Sequence, residues 1–162
     1  MSPRAVLVDT NIASYLFHAS ARGLDYQALL ANSPIWLSFV TVGEMQFGAE
    51  VARWGSVRRH ALSRFIEQYR IRGYEKGMEM KYARIAAQCR WAGRALDWRD
   101  AWICTQAIWF EMPLVTHDGD FEGIPGLELI TLLNPQVHDV CWNDAPTYGV
   151  GSRSSPEPVL SH

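Results

Sequence analysis

Apolar positions along this chain fall into short dense blocks separated by longer stretches in which they recur every three or four residues. Val6-Leu7-Val8, Ile35-Trp36-Leu37-Ser38-Phe39-Val40, Pro113-Leu114-Val115-Thr116 and Leu127-Glu128-Leu129-Ile130-Thr131-Leu132 are the blocks. They are rich in β-branched, aliphatic and aromatic residues and read as strands. The intervening stretches read as helices over 12–17, 24–31, 41 to about 53, 57 to about 69, 78 to about 92, and from Asp97 to the stop at Glu111-Met112-Pro113. Residues 70–74 fit either a connecting strand or an extended loop. Ala61, Leu62, Phe65, Ile66 and Tyr69 form the apolar stripe of one helix, and Ala83, Ala86, Ala87 and Trp91 suggest close packing of the next. Strands alternating with helices predict an α/β domain with a parallel sheet.

From Asn134 the pattern stops. Pro135, Pro146, Pro156, Pro158, Gly149, Gly151 and several serines replace the aliphatics. The expected organisation is one domain over 1–133 and an irregular tail over 134–162, with Val140-Cys141-Trp142 as its anchor on the body. No internal repeat is present.

Composition narrows the class. With 162 residues, 48% apolar and 20% charged, the chain is long enough for a substantial core. Cys89, Cys104 and Cys141 are odd in number and lack zinc-ligand spacing, so reduced thiols are expected. No apolar run approaches the roughly 20 residues that span a bilayer, and the chain is expected in the cytoplasm with no membrane partner. The net charge of −2 hides an asymmetry. Residues 51–100 hold twelve Lys and Arg against five acids, while 101–162 hold eight acids against Arg153 alone. A basic surface beside an acidic site follows, or simply solvated helices.

The candidate chemistry lies where strands end. Asp9 follows the first block directly, where a parallel sheet places ligands outside its carboxyl edge. Asp9 can equally cap the helix that follows. Thr41 with Glu44 three positions on has the form of a capping box, which gives Glu44 a structural task as well. Asp97 fits an N-cap with Asp100 at its N3 position, and Asp118 and Asp120 follow the third block. Acids after three strands, joined by Asp100, would be gathered by a parallel sheet into one cluster. Clustered carboxylates repel strongly away from water and call for a neutralising cation. Oxygen-only donors favour Mg²⁺ or Mn²⁺, equipment for phosphodiester hydrolysis.

The residues Val8-Asp9-Thr10-Asn11, Thr41-Val42-Gly43-Glu44 with Gly48-Ala49, Asp100-Ala101-Trp102-Ile103, Leu114-Val115-Thr116-His117-Asp118-Gly119-Asp120-Phe121 and Ile124-Pro125-Gly126-Leu127 together resemble the PIN-domain ribonucleases, within them the VapC-type toxins of toxin–antitoxin pairs. The resemblance covers roughly residues 5–132. It implies a three-layer α/β/α sandwich with a mostly parallel sheet and a Mg²⁺-dependent (or Mn²⁺-dependent) acidic site that cuts RNA. It implies Asp9, Glu44, Asp100 and Asp118 as catalytic metal-binding acids, Asp120 as an additional metal-site acid, and Thr10, Asn11 and Thr116 as supporting hydrogen-bonding residues. A cognate antitoxin and a homodimer are the implied partners. Cys104 and Thr105 stand where the family usually has small residues, a departure that bears on packing.

Two other readings compete. A non-catalytic RNA- or protein-binding domain would use the basic helices and ignore the acids. A phosphatase of the haloacid-dehalogenase type also opens with an acid after its first strand, but requires an Asp-x-Asp pair, and position 11 is Asn11.

Overall fold

A computed structural model describes residues 4–94 and 96–133 of the chain; the expected tail and its Val140-Cys141-Trp142 anchor lie outside the described residues. The elements run β1 (Val6–Val8), α1 (Thr10–Phe17), α2 (Ala21–Leu29), β2 (Ile35–Ser38), α3 (Phe39–Val51), α4 (Ser56–Ile66), β3 (Arg70–Arg72), α5 (Met78–Trp91), α6 (Trp98–Trp109), β4 (Leu114–Val115) and β5 (Leu129–Ile130). Every pairing is parallel, in the order β3-β2-β1-β4-β5. Residues 70–72 are thus an edge strand beside β2, which settles the choice between strand and loop.

The density of the aliphatic blocks follows from burial on both faces. Val6, Val8 and Val115 point into a core shared with Ile12, Ala13, Tyr26, Met45 and Leu62 from α1 to α4. Leu7 and Leu114 point the other way, against Ile85, Cys89, Ile103 and Cys104 from α5 and α6. This is the expected three-layer α/β/α sandwich. The chain adds β2 and β3 on one side of β1, then crosses through α5 and α6 to place β4 and β5 on the other. The reversal puts a crevice at the carboxyl ends of β1 and β4, the place where open α/β sheets hold ligands.

Three local expectations need correction. α3 begins at Phe39, two residues before Thr41, and its cap is Ser38, whose hydroxyl accepts from the Val40 N–H. Thr41 and Glu44 therefore form no capping box, and Glu44 sits in the second turn with no capping task. α2 begins at Ala21 behind a Ser20 cap rather than at Leu24. The stripe on α5 is also misjudged: its buried residues are Met78, Ile85 and Cys89. Ala83, Ala87 and Trp91 instead line an open groove with Met80, Arg84 and Gln88, and Trp91 is 81% exposed.

The early start of α2 brings Gly23 against α1. A Cβ there would lie 2.2 Å from the Tyr15 carbonyl oxygen, and that oxygen belongs to backbone that cannot swing aside. Gly23→Ala should therefore destabilise by about 1–3 kcal/mol despite its higher helix propensity, read as a lower urea midpoint with unchanged slope.

Candidate active site

Each acid reaches the crevice by a different route. Asp9 leaves β1 in extended conformation and caps α1, so its Oδ1 accepts from the Thr10 N–H at 2.6 Å. Its Oδ2 accepts from the Thr116 hydroxyl, 2.9 Å away at the end of β4. Asp9 thus caps α1 with one oxygen while the other meets Thr116, so capping does not remove it as a candidate site acid. Asp100 lies in the first turn of α6, which Asp97 caps through the Arg99 N–H. Asp118 caps the short 3-10 turn Gly119–Phe121 by accepting from the Asp120 N–H. Glu44 enters from α3, where the Thr10 hydroxyl donates to Oε2 and Arg99 donates to Oε1 at 3.1 Å.

These placements bring Asp9, Glu44, Asp100 and Asp118 into one electrostatic neighbourhood. Burial pushes the Asp9 carboxyl up to about 7; hydrogen bonds from Thr116 and Thr10 oppose the rise, and Glu44 and Asp118 add to it. Burial first, then Asp9, Asp97, Asp118 and Glu44, pushes Asp100 up to about 8. Asp118 is the charge from its loop that acts on both, whereas Asp120 is exposed at the rim. Asp97 moves the other way, held below the usual carboxylate range chiefly by its bond from Arg99.

The donor set suits a hard divalent cation. It offers carboxylate and hydroxyl oxygens, and burial drives the thiol of Cys104, the cysteine on α6, up to about 12, so no thiolate competes. Two carboxyls that resist ionisation chiefly because they are buried, and then because like charges stand beside them, would be relieved by such an ion. Among the described residues, no three acid, histidine or cysteine side chains already stand in ligand-like spacing. Glu44 is held by Thr10 and Arg99 instead.

The supporting polar residues divide the work. Thr10 fixes Glu44, and its hydroxyl lies 3.2 Å from that of Thr41. Thr116 fixes Asp9 while accepting from the Asp118 N–H at 3.0 Å. Asn11 touches no carboxylate: its Nδ2 donates to Thr116 Oγ1 at 3.5 Å and its Oδ1 accepts from the His117 N–H at 3.3 Å, so it holds the loop rather than the acids.

Tyr26, a residue not singled out from the sequence, anchors this loop from α2. Its fully buried phenol donates to the Thr116 carbonyl at 3.1 Å and accepts from the Leu132 N–H at 3.0 Å. His117 Nδ1 lies 2.8 Å away. With the phenolic proton donated to the Thr116 carbonyl, the Nδ1–H tautomer of His117 completes the pair as donor. Burial first, then Arg22, holds the His117 imidazole below its ordinary value, with Asp118 opposing. Tyr26→Phe leaves these buried groups unpaired and should cost about 1–3 kcal/mol in denaturant unfolding. No sequence signal marks Tyr26, because its partners stand about ninety positions later. Arg99 was also missed, though its position between Asp97 and Asp100 is suggestive.

Comparisons with known proteins agree with this architecture. The chain is 29% identical over 136 residues to the plasmid stability protein StbB of Pseudomonas syringae pv. tomato, covering 77% of this chain and 96% of that one. It is 24% identical over 98 residues to ribonuclease VapC4 of Mycobacterium tuberculosis, covering 59% and 75%. Among solved structures, VapBC2 from Rickettsia felis, bound to a DNA fragment from its promoter, superposes with a TM-score of 0.70 at 23% identity over 78% of this chain and 98% of that one. A toxin–antitoxin complex from Klebsiella pneumoniae gives 0.59 at 29% identity over 78% and 97%. The family model described as the PIN domain matches residues 6–127, which takes in β1, Asp9, Glu44, Asp100 and Asp118, and the chain belongs to the PIN domain family.

Proposed function

We propose that residues 1–133 form a divalent-metal-dependent endoribonuclease, the toxin of a toxin–antitoxin pair acting in the cytoplasm. The observation that carries this reading is the convergence of Asp9, Glu44, Asp100 and Asp118 on the β1/β4 crevice, with the Asp9 and Asp100 carboxyls driven up chiefly by burial and then by neighbouring acids. The names of the relatives, a ribonuclease and toxin–antitoxin complexes, support it. Among the described residues no helix is long and apolar enough to cross a membrane.

In this reading the four acids hold Mg²⁺ or Mn²⁺, with Asp120 assisting from the rim. A bound ion would polarise the phosphoryl oxygen and lower the pKa of an attacking water. The chain supplies the rest: Thr116 and the Thr10 N–H fix both oxygens of Asp9, the Thr10 hydroxyl fixes Glu44, and Asn11 and Tyr26 set the loop bearing Asp118. The same acidic crevice would accept an Arg or Lys of an antitoxin, and the active form would be a homodimer.

Purified protein should cut single-stranded RNA with Mg²⁺ or Mn²⁺, lose cleavage in EDTA and regain it on readdition. RNA binding that is indifferent to EDTA, with no cleavage under either ion, overturns the proposal in favour of a non-catalytic binding domain. Isolation of the natively expressed chain with a small basic partner supports the toxin assignment, and isolation without one speaks against it.

A further inference from the structure

Arg99 is the cation that, among the described residues, forms ion pairs with the acids around the crevice. Its two ends do different things. Nε donates to Asp97 Oδ1 at 2.7 Å, on the same oxygen that accepts from the Arg99 N–H at 2.9 Å. Nη1 reaches across to α3 and donates to Glu44 Oε1 at 3.1 Å. One end of the guanidinium is therefore fixed to its own helix start, while the other is lent to a site acid.

Glu44 has no idle oxygen: Oε2 receives the Thr10 hydroxyl and Oε1 receives Arg99. A cation approaching Oε1 meets the positive charge of Nη1 already on that oxygen, and repulsion between the two favours displacement of the guanidinium. The bond to Asp97 is independent of that exchange, so the displaced guanidinium stays at the mouth of the crevice with its outer N–H groups free. Its side chain is 39% exposed, which leaves a face open to incoming substrate. A planar fork anchored on one edge and open on the other suits a phosphate oxygen. The need is electrostatic, since an anionic phosphodiester must approach a crevice lined by Asp9, Glu44, Asp97, Asp100 and Asp118.

We propose that Arg99 is a catalytic residue that exchanges its Glu44 partner for the scissile phosphate of RNA when a divalent ion enters. It occupies Glu44 in the metal-free protein and competes with the ion there. With Glu44 ligated, it turns about its Asp97 anchor and neutralises charge on the phosphate. The inference rests on the nuclease reading for its substrate, but the competition at Glu44 does not.

Two measurements on full-length Arg99→Ala and Arg99→Lys, each checked for wild-type circular dichroism, test it. Calorimetric titration with Mn²⁺ alone should show Arg99→Ala binding roughly three- to fivefold more tightly than wild type, because a competing cation has gone. Steady-state cleavage of single-stranded RNA at saturating Mn²⁺ should fall roughly 100-fold in Arg99→Ala, mainly in kcat rather than KM. Arg99→Lys should recover less than roughly a tenth of the wild-type rate, since one ammonium cannot keep Asp97 and reach the phosphate. Equal or weaker Mn²⁺ binding in Arg99→Ala overturns the exchange at Glu44. Cleavage by Arg99→Ala at the wild-type rate overturns the phosphate role while leaving the nuclease reading standing. If the wild type cuts no RNA, the nuclease reading and the phosphate role fall together, and the Mn²⁺ titration still judges the competition.

Discussion

Asp9→Asn is expected to abolish metal-dependent RNA cleavage, by roughly 10³-fold or more, while making the metal-free protein more stable. Both effects have one cause. Asp9 is 4% exposed, its carboxyl is pushed up to about 7, and the charges beside it are those of Glu44 and Asp118. An amide keeps the shape and its one oxygen can accept from either Thr116 or the Thr10 N–H, giving up the other bond, but it brings no charge into that crevice. The gain at pH 8 should be on the order of 2–4 kcal/mol, since each pKa unit is worth about 1.4 kcal/mol. Thermal denaturation in EDTA should show a higher Tm for the variant, and added Mg²⁺ should raise the Tm of the wild type and not that of the variant. A variant that cleaves RNA like the wild type would remove Asp9 from the site, and one that melts lower in EDTA would show that its carboxylate stabilises the fold.

A second large effect is the pH dependence of the metal-free fold. Asp9 and Asp100 hold their protons in the folded state up to about 7 and about 8, whereas their unfolded value is 3.8. Between about pH 4 and 8 the folded state therefore binds more protons than the unfolded one, and stability falls as pH rises. Below that window Asp97 acts in the opposite sense: its carboxyl is held low by Arg99, and its stabilisation is lost on acidification. Stability in EDTA should peak near pH 4 and decline toward pH 8. Saturating Mg²⁺ should flatten or reverse the decline, because the ion binds only the deprotonated carboxylates. Urea midpoints at pH 5, 6.5 and 8, with and without Mg²⁺, check this. A midpoint that rises from pH 5 to 8 in EDTA contradicts it, as does a decline that saturating Mg²⁺ leaves unchanged.

These two results depend on acids that could be chosen without a structure. Asp9, Glu44, Asp100 and Asp118 each stand just beyond a strand or at a helix start, and strands buried on both faces announce themselves by their aliphatic density. What could not be read was how the acids are held. The capping-box pattern at Thr41 and Glu44 is a local rule, and it failed because Ser38 caps α3 first. Its failure leaves Glu44 to Thr10, thirty-four positions back, and Arg99, fifty-five positions on. The outward face of α5 was misjudged for a related reason: alanine spacing reports a face able to pack, and only the position of α6 decides which face does.

The division has a physical basis. Periodicity and capping act over a few residues, so the sequence by itself determined an α/β sheet and the strand ends and helix starts that carry the acids. Hydrogen bonds and ion pairs between distant segments depend on which strands become neighbours. Only when β1 and β4 lie side by side does Thr116 meet Asp9, only then does Tyr26 tie down the loop of Asp118, and only the packing of α3 beside α6 gives Glu44 to Arg99.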